Sequence, residues 1–161
     1  MKNEKFKSIN IKDVNVYVMG NSGPEKKTLK EIFLNNKIII VGVPGAFTPT
    51  CSQDHLPGFV KFEKEIKEKG FSDIYFIATN DPFVMDKWIN NSNNGDIKFI
   101  SDADQEFCNA TGLSLDLSMI GLGIRLSRFA MIIENCQIIK VFDENGGGLS
   151  VSKAEKVLSS L

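Results

Sequence analysis

Residue types that enzymes use in pairs are scarce in this sequence. Its 161 residues include one histidine, His55, and three cysteines, none of which forms a CxxC or CxxxC pair. These shortages argue against a site built from two imidazoles, a zinc site and a dithiol oxidoreductase. The odd cysteine count disfavours a disulfide scaffold, and free thiols indicate a reducing compartment. No Gly-rich phosphate loop is present, so a P-loop enzyme is not predicted either.

Long apolar runs and an excess of charge are also missing. The first ten residues are polar and lysine-rich, so we expect no secretory signal, and no run approaches the ~20 apolar residues of a membrane helix. The net charge of −1, with acids and bases mixed along the chain, argues against nucleic acid or a membrane as a partner. We expect a cytoplasmic location, or an organelle lumen if a transit peptide is missing from the sequence.

Strand and helix patterns alternate along the chain. The periodicity predicts strands at 14–18, 38–43, 74–78 and 97–100, and helices at 28–34, 50–69, 81–89 and 102–110. Residues 20–24 are predicted to form a turn, 113–123 to be irregular, and 128–133 with 137–142 to form an antiparallel hairpin. Two sequence signals add detail, because Pro57-Gly58 predicts a kink and Ser152 to Glu155 predicts a capping box for a last helix.

This order of elements predicts an α/β protein with residues 1–161 in a single domain. Alternating strands and helices favour a mixed, mostly parallel central sheet with helices on both faces. The C-terminal hairpin and helix complete a pattern that matches a thioredoxin-like fold. No repeat and no second domain are indicated.

Cys51 lies where such a sheet places its reactive groups. It follows a buried strand and a Pro/Gly/Thr turn, at the start of the helix predicted from residue 50. Unpaired N–H groups and the helix dipole favour a thiolate there. Thr48 precedes it by about one helical turn, so its hydroxyl is expected to accept a hydrogen bond from a peroxide and to donate one to the sulfur. Pro44 is expected to stiffen the turn and shield the sulfur from water.

Arginine occurs at two positions only, Arg125 and Arg128, just before the predicted hairpin. When a thiolate attacks a peroxide, negative charge develops on the leaving oxygen, and a fixed cation stabilises it. The planar guanidinium can serve the sulfur and the oxygens together. The arginine segment is therefore a second candidate component of the site.

Several motifs in the right order resemble those of peroxiredoxins of the type-II, or peroxiredoxin-five-like, subfamily. The resemblance covers roughly residues 13–161. It is carried by Val43-Pro44-Gly45-Ala46-Phe47-Thr48-Pro49-Thr50-Cys51-Ser52, by His55-Leu56-Pro57-Gly58-Phe59, by Asn80-Asp81-Pro82, by Ser101-Asp102-Ala103-Asp104, and by Gly121-Leu122-Gly123-Ile124-Arg125-Leu126-Ser127-Arg128-Phe129.

The resemblance implies a thiol peroxidase that reduces hydrogen peroxide and alkyl hydroperoxides through a Cys51 sulfenic acid. Its catalytic set falls on Pro44, Thr48, Cys51 and Arg128. Substrate contacts are implied for Thr48, Thr50 and Arg128, and Arg125 is expected to support the site without touching the substrate. The resemblance implies no metal and no organic cofactor, and it suggests a homodimer built at the active-site end.

The sequence departs from many such proteins in lacking a resolving cysteine. One position used for it is Val151 here, and another is Phe76, while Cys108 and Cys136 match neither. We therefore predict a one-Cys enzyme whose sulfenic acid is reduced by an external thiol, namely glutathione with glutaredoxin, or thioredoxin. An internal Cys51 disulfide after peroxide treatment would contradict this.

Other interpretations remain open at this point. Cys51 can be a packing residue, and Thr48, Pro44 and Arg128 can be a helix cap, a strand terminator and a surface charge. His55 can pair with Cys51 or, as we prefer, pack or hydrogen-bond in its helix. We expect Trp88 in the core or a dimer interface, Cys108 in the core, and Cys136 exposed at the hairpin tip. The alternative functions are a peroxide sensor that passes oxidation to a partner protein, and a holdase or structural module.

Overall fold

A mixed β-sheet forms the centre of the molecule. The computed structural model describes residues 2–161, with side chains from Asn3 onward. Its strands are β1 (Asn15–Gly20), β2 (Gly23–Thr28), β3 (Lys37–Gly42), β4 (Asp73–Ala78), β5 (Lys98–Ser101), β6 (Ser114–Leu117), β7 (Gly123–Leu126), β8 (Phe129–Glu134) and β9 (Gln137–Asp143). Seven of them form one sheet in the order β2-β1-β5-β4-β3-β8-β9, and β6 pairs with β7.

The middle of the sheet is parallel and its flanks are antiparallel. β3, β4 and β5 are parallel neighbours, whereas β1 runs against β5 and β8 runs against β3. Because β2 reverses β1 and β9 reverses β8, the strands β2, β3, β4, β5 and β9 all run in one direction. The apolar, β-branched run of β3 suits its central place, since its residues from Ile38 to Gly42 are all buried.

Helices cover both faces of the sheet, as predicted. They are α1 (Lys2–Lys7), α2 (Leu29–Phe33), α3 (Leu56–Glu68), α4 (Pro82–Asn90), α5 (Glu106–Thr111) and α6 (Ala154–Ser159). Side chains of α1, α2 and α5 join one apolar core, and those of α3, α4 and α6 join a second core across the sheet. Alternate residues of β3 divide between the two, with Ile38 and Ile40 in the first and Ile39 and Val41 in the second. We call these sides the α1/α2/α5 face and the α3/α4/α6 face.

Several short elements were not predicted from the sequence. Helix α1 lies in the lysine-rich N-terminal stretch. Strand β2 carries polar, exposed residues because it is an edge strand paired only with β1, so it shows no apolar alternation. Strand β6 lies within the stretch expected to be irregular and β7 begins at its last residue, Gly123; each has only four residues.

The helix predicted from residue 50 begins with a π-helical turn over Cys51–His55. The N–H of Leu56 donates to the carbonyl of Cys51, five residues back, and α3 continues from there. The irregularity predicted at Pro57 thus lies in the turn before it. A proline ring conflicts with the carbonyl four residues earlier, here that of Gln53, and a wider turn relieves that conflict.

Predicted helix starts are confirmed at two places and wrong at two. The capping box at Thr28 and the Asp81 cap are present. Helix α5 starts at Glu106, because the Asp102 carboxylate accepts the N–H groups of Phe107 and Cys108 at 2.8 and 2.9 Å.

The second wrong start is the capping box predicted at Ser152. Helix α6 is capped at Lys153 without a side-chain bond, because the Ser152 hydroxyl donates to Glu144 at 2.8 Å. Across residues 2–161, every helix is too short or too polar to cross a bilayer.

Candidate active site

Strand register brings three distant segments to one end of the sheet. Gly42 at the end of β3 pairs with Phe129 at the start of β8, and Phe129 pairs with Asp143 at the end of β9. The turn that leads to Cys51, the residue Arg128, and residues 144–152, which we call the 144–152 loop, therefore meet beyond the end of β3. Glycine is required at residue 42, since a Cβ there would lie 2.0 Å from Cε1 of the Phe129 ring.

Cys51 and Arg128 are in direct contact within this end of the molecule. Nη2 of Arg128 donates to Sγ of Cys51 at 3.1 Å, and both residues are buried. Nε of the same guanidinium donates to the carbonyl of Gly147 at 3.1 Å. Arg128 is 2% exposed, so the alternative that it is a surface charge is wrong. The Cys51 sulfur therefore lies against a buried, fixed cation.

The third nitrogen of the Arg128 guanidinium, Nη1, contacts His55. Nδ1 of His55 lies 2.9 Å from Nη1 of Arg128, and its Nε2 lies 3.0 Å from the carbonyl oxygen of Ser152. A guanidinium only donates, so Nδ1 must be the acceptor, and the ring proton is on Nε2, where it is donated to Ser152. Burial, together with the nearby Arg128 charge, lowers the pKa of His55 to about 3. His55 is therefore neutral, and its hydrogen bonds run outside its own helix.

Glu144 closes the 144–152 loop on itself. Its carboxylate accepts the N–H groups of Ser150 and Ser152 at 2.7 and 2.8 Å and both of their hydroxyls at 2.9 and 2.8 Å. Burial opposes ionisation of this carboxylate, but these hydrogen bonds outweigh it and lower the pKa of Glu144 to about 2. The loop thus has a permanent negative charge at its centre at neutral pH.

The remaining predicted residues form the turn before Cys51. The Thr48 hydroxyl donates to the carbonyl of Gly45 at 2.7 Å, so its single proton is not available to the sulfur and only its acceptor function is left. Pro44 is buried, and its carbonyl accepts Nη1 of Arg125 at 3.2 Å. Thr50 is half-buried and lines a groove of about 370 Å³.

The other two cysteines lie across the sheet from Cys51. Cys108 and Cys136 belong to the core of the α1/α2/α5 face, whereas Cys51 belongs to that of the α3/α4/α6 face. The expectation that Cys136 is exposed is wrong, because it is 2% exposed. Left-handed backbone at Asn135 and Cys136 forms the hairpin turn, and Cys136 lines a cavity together with residues 8–10, which follow α1. All three thiols are free.

The two positions considered for a resolving cysteine have different surroundings. Phe76 is fully buried, with its ring centroid 5.8 Å from those of His55 and Phe59 and 6.0 Å from that of Trp88. Val151 is exposed on the 144–152 loop. Trp88 is in the core, as expected, and its Nε1 donates to the hydroxyl of Ser52 at 2.9 Å.

Residues 2–158 match the Redoxin family, and the chain belongs to that family. Within this class the sequence is 44% identical over 135 residues to peroxiredoxin-2D of Arabidopsis thaliana, with 83% of each chain covered. The protein is thus a peroxiredoxin, a peroxidase of the oxidoreductase class, as the sequence motifs indicate.

Solved structures agree with this assignment. The reduced Prx3 of Vibrio vulnificus in complex with hydrogen peroxide superposes with a TM-score of 0.88 at 34% identity, covering 94% of this chain and 95% of the other. The antioxidant protein of Plasmodium falciparum, a 1-Cys peroxiredoxin, gives 0.86 at 32% identity, covering 94% of both chains.

The sequence did not reveal the residues that hold Arg128 in place. His55 was recognised as lying one turn beyond Cys51, but its bonds to Arg128 and Ser152 span 73 and 97 residues. The sequence pattern predicts Ser152 to be a helix cap and gives no signal at Glu144. The available signal is that the only histidine of the chain follows Cys51 at a one-turn spacing.

Proposed function

We propose that the Cys51 thiolate attacks one oxygen of hydrogen peroxide or of an alkyl hydroperoxide. The S–O bond forms as the O–O bond breaks, the sulfur is oxidised to sulfenic acid, and the second oxygen leaves as water or alcohol after protonation. The observation that carries this proposal is the 3.1 Å contact between Nη2 of Arg128 and Sγ of Cys51 in a buried site. The similar Vibrio vulnificus structure with hydrogen peroxide supports this choice of substrate.

Each residue of the proposed set has a distinct task. Arg128 stabilises the thiolate and the charge that develops on the leaving oxygen. Thr48 accepts a hydrogen bond from the peroxide, since its own proton is used by Gly45. Pro44 covers the sulfur, and Arg125 holds Pro44 through its carbonyl. Thr50 contacts the substrate from the adjoining groove.

We further propose a one-Cys cycle in which an external thiol reduces the sulfenic acid. A disulfide from Cys51 to Cys108 or Cys136 would have to form across the sheet, which thiols in opposite cores cannot do without unfolding. The two positions considered for a resolving cysteine hold Phe76 and Val151 instead, which supports the same conclusion. Glutathione with glutaredoxin, or thioredoxin, supplies the electrons in a reducing compartment, which is the cytoplasm or an organelle lumen.

Intact-mass measurement after one equivalent of hydrogen peroxide tests both proposals. We expect a gain of one oxygen that is absent in Cys51→Ser and that becomes a glutathione adduct when glutathione is added. A loss of two hydrogens would reveal an internal disulfide and end the one-Cys proposal. An unchanged mass would end the proposed chemistry at Cys51.

A homodimer built at the active-site end is also part of the proposal. Phe47, Phe83 and Ile124 are exposed, and such side chains together favour an interface. Their segments adjoin the turn before Cys51, since Ala46 N–H donates to Asn80 and Arg125 reaches Pro44. Light scattering should show a dimer that Ile124→Asp converts to monomer, and a wild-type monomer would contradict the proposal.

A further inference from the structure

The orientation of the Arg128 guanidinium depends mainly on the 144–152 loop. One of its nitrogens faces the Cys51 sulfur, while Nε donates to the loop carbonyl of Gly147 and Nη1 donates to His55. The backbone of Arg128 is held by the same loop, because its N–H donates to Gly146 at 2.8 Å and its carbonyl accepts from Glu144 at 3.1 Å. Displacement of the loop would therefore break both the side-chain bond and the backbone bonds that hold Arg128.

His55 transmits the position of Ser152 to Arg128. Its ring can accept from Nη1 only while the proton is on Nε2, and that proton needs the Ser152 carbonyl as its acceptor. The ring is 1% exposed and packs against Phe59 and Phe76, so water cannot easily replace Ser152. A shift of Ser152 would leave a buried N–H without a partner, which is unfavourable.

Glu144 fixes Ser152 at the other end of this chain of contacts. The N–H and hydroxyl of Ser152 both donate to its Oε2, and Ser150 donates to both oxygens. These four bonds join the start of the 144–152 loop to its end. Without them, among the hydrogen bonds of the described residues, the Ser152 backbone keeps only the bond from His55.

We propose that Glu144 is a positioning residue for Arg128, acting through Ser152 and His55. The inference rests on the proposed role of Arg128 at the Cys51 sulfur. Glu144 does not touch the sulfur or the substrate; it keeps the loop closed, so that His55 and the Gly147 carbonyl orient the guanidinium fork. Misplacement of a reacting group by about 1 Å can slow a reaction about a hundredfold, so a partial loss of this orientation is measurable.

The test is a double-mutant cycle on the rate at which hydrogen peroxide oxidises Cys51, followed by rapid-quench mass spectrometry. We expect Glu144→Ala to lower the second-order rate constant about tenfold. Glu144→Gln should recover most of the rate, because its oxygen can accept from Ser152 while its nitrogen donates to the Ser150 hydroxyl. Glu134→Ala removes an exposed glutamate at the far end of β8 and should leave the rate unchanged. In an Arg128→Ala background, Glu144→Ala should cause no further loss.

Three results would overturn the inference. They are a wild-type rate in Glu144→Ala, an equal loss in the Arg128→Ala background, and a Glu144→Gln rate as low as that of Glu144→Ala. If Glu144→Ala does not fold, Ser152→Ala removes one hydroxyl donor to Glu144 and enters the same cycle. Failure of the wild-type protein to oxidise at Cys51 is a different outcome, because it refutes the proposed function itself.

Discussion

The two faces of the central sheet both bury cysteine, but they surround it with different groups. On the α3/α4/α6 face, Cys51 meets the guanidinium of Arg128. On the α1/α2/α5 face, the Cys108 sulfur donates weakly to the carbonyls of Leu113 and Arg125, at 3.8 and 4.0 Å. Burial, with the Asp102 carboxylate nearby, raises the pKa of Cys108 to about 11, and burial also raises the pKa of Cys136.

This comparison separates burial, which all three thiols share, from contact with a cation, which the described residues show only at Cys51. All three cysteines are at most 2% exposed, so exposure does not distinguish them. What differs is the group that touches the sulfur, because Nη2 of Arg128 donates to Sγ of Cys51 whereas carbonyl oxygens accept from Sγ of Cys108. One face thus has a guanidinium against its buried thiol, and the other has a buried carboxylate that caps α5 beside Cys108.

Removing the cation should have the largest effect on this contrast. We expect Arg128→Ala to lower the rate of Cys51 oxidation by about 10² to 10³-fold, a loss typical for a fixed charge donor. The matched change Arg125→Ala removes a hydrogen bond to Pro44 and should cost about tenfold or less. Stopped-flow or quench measurements with hydrogen peroxide give both rates, and equal losses would contradict the assignment of the two arginines.

Overpacking the α1/α2/α5 face should lower stability. In Gly42→Ala the new methyl group would meet the Phe129 ring, which stacks on Phe107 at 6.1 Å and has little freedom to move. We expect a loss of about 2 kcal/mol in the free energy of unfolding, measured in urea.

Gly58→Ala is the matched control for Gly42→Ala. Gly58 lies in α3, and its added Cβ would be 3.9 Å from the nearest atom, Cβ of Ala154, so we expect a gain of about 0.5 kcal/mol. Similar free energies of unfolding for the two variants would show that the Phe129 ring gives way.

Acid should destabilise the α3/α4/α6 face first. Folding lowers the pKa of His55 from 6.5 to about 3, mainly through burial, so its contribution to stability is present above pH 6.5 and is lost as the pH falls toward 3. Glu144 extends this loss below pH 4.5, since its pKa falls to about 2. Across the sheet, burial raises the pKa of Asp102 from 3.8 to about 6. Its contribution to stability is therefore present below pH 3.8 and is lost as the pH rises through 6.

The measurement is urea unfolding at pH 7 and at pH 5. His55→Gln should reduce the drop in stability between these values by about 1–2 kcal/mol, whereas Asp102→Asn should not reduce it. A drop that is unchanged in His55→Gln would show that His55 is not held neutral by the fold.

The smallest effect is expected from the thiols across the sheet. Cys108→Ala leaves a small cavity, so we expect a loss of about 1 kcal/mol in stability and an unchanged rate of Cys51 oxidation. Cys51→Ser should do the reverse, abolishing oxidation with little change in the urea midpoint. A slower peroxide reaction in Cys108→Ala would contradict this prediction, because it would mean that Cys108 affects Cys51 from the opposite face of the sheet.

The sequence was informative where chemistry follows from neighbouring residues. The order of elements, the position of Cys51 at a strand end and the candidates Pro44, Thr48 and Arg128 all came from local patterns and motifs. Strand β2 escaped notice because an exposed edge strand needs no apolar alternation. The environment of Cys136 was misjudged because a turn residue reads as exposed, while residues beyond α1, more than 120 positions earlier, border it in the fold.

The contacts of Arg128 could not be predicted from the sequence for a related reason. They depend on the pairing of Gly42 with Phe129 and of Phe129 with Asp143, and a register shift of one residue would turn these side chains to the other face. Local patterns do not determine register at that precision. Ser152 illustrates the problem, because its spacing to Glu155 suits a capping box but Glu144 binds it instead.

The wide separation of the site residues along the chain has a consequence for protein synthesis. Arg128 follows Cys51 by 77 residues, and Ser152 follows His55 by 97. At about 5–20 residues per second, the ribosome makes Cys51 several seconds before its cation exists. Under the proposed mechanism, a nascent or truncated chain lacks the cation at Cys51, and peroxide reactivity begins only when the last loop has been translated and has folded.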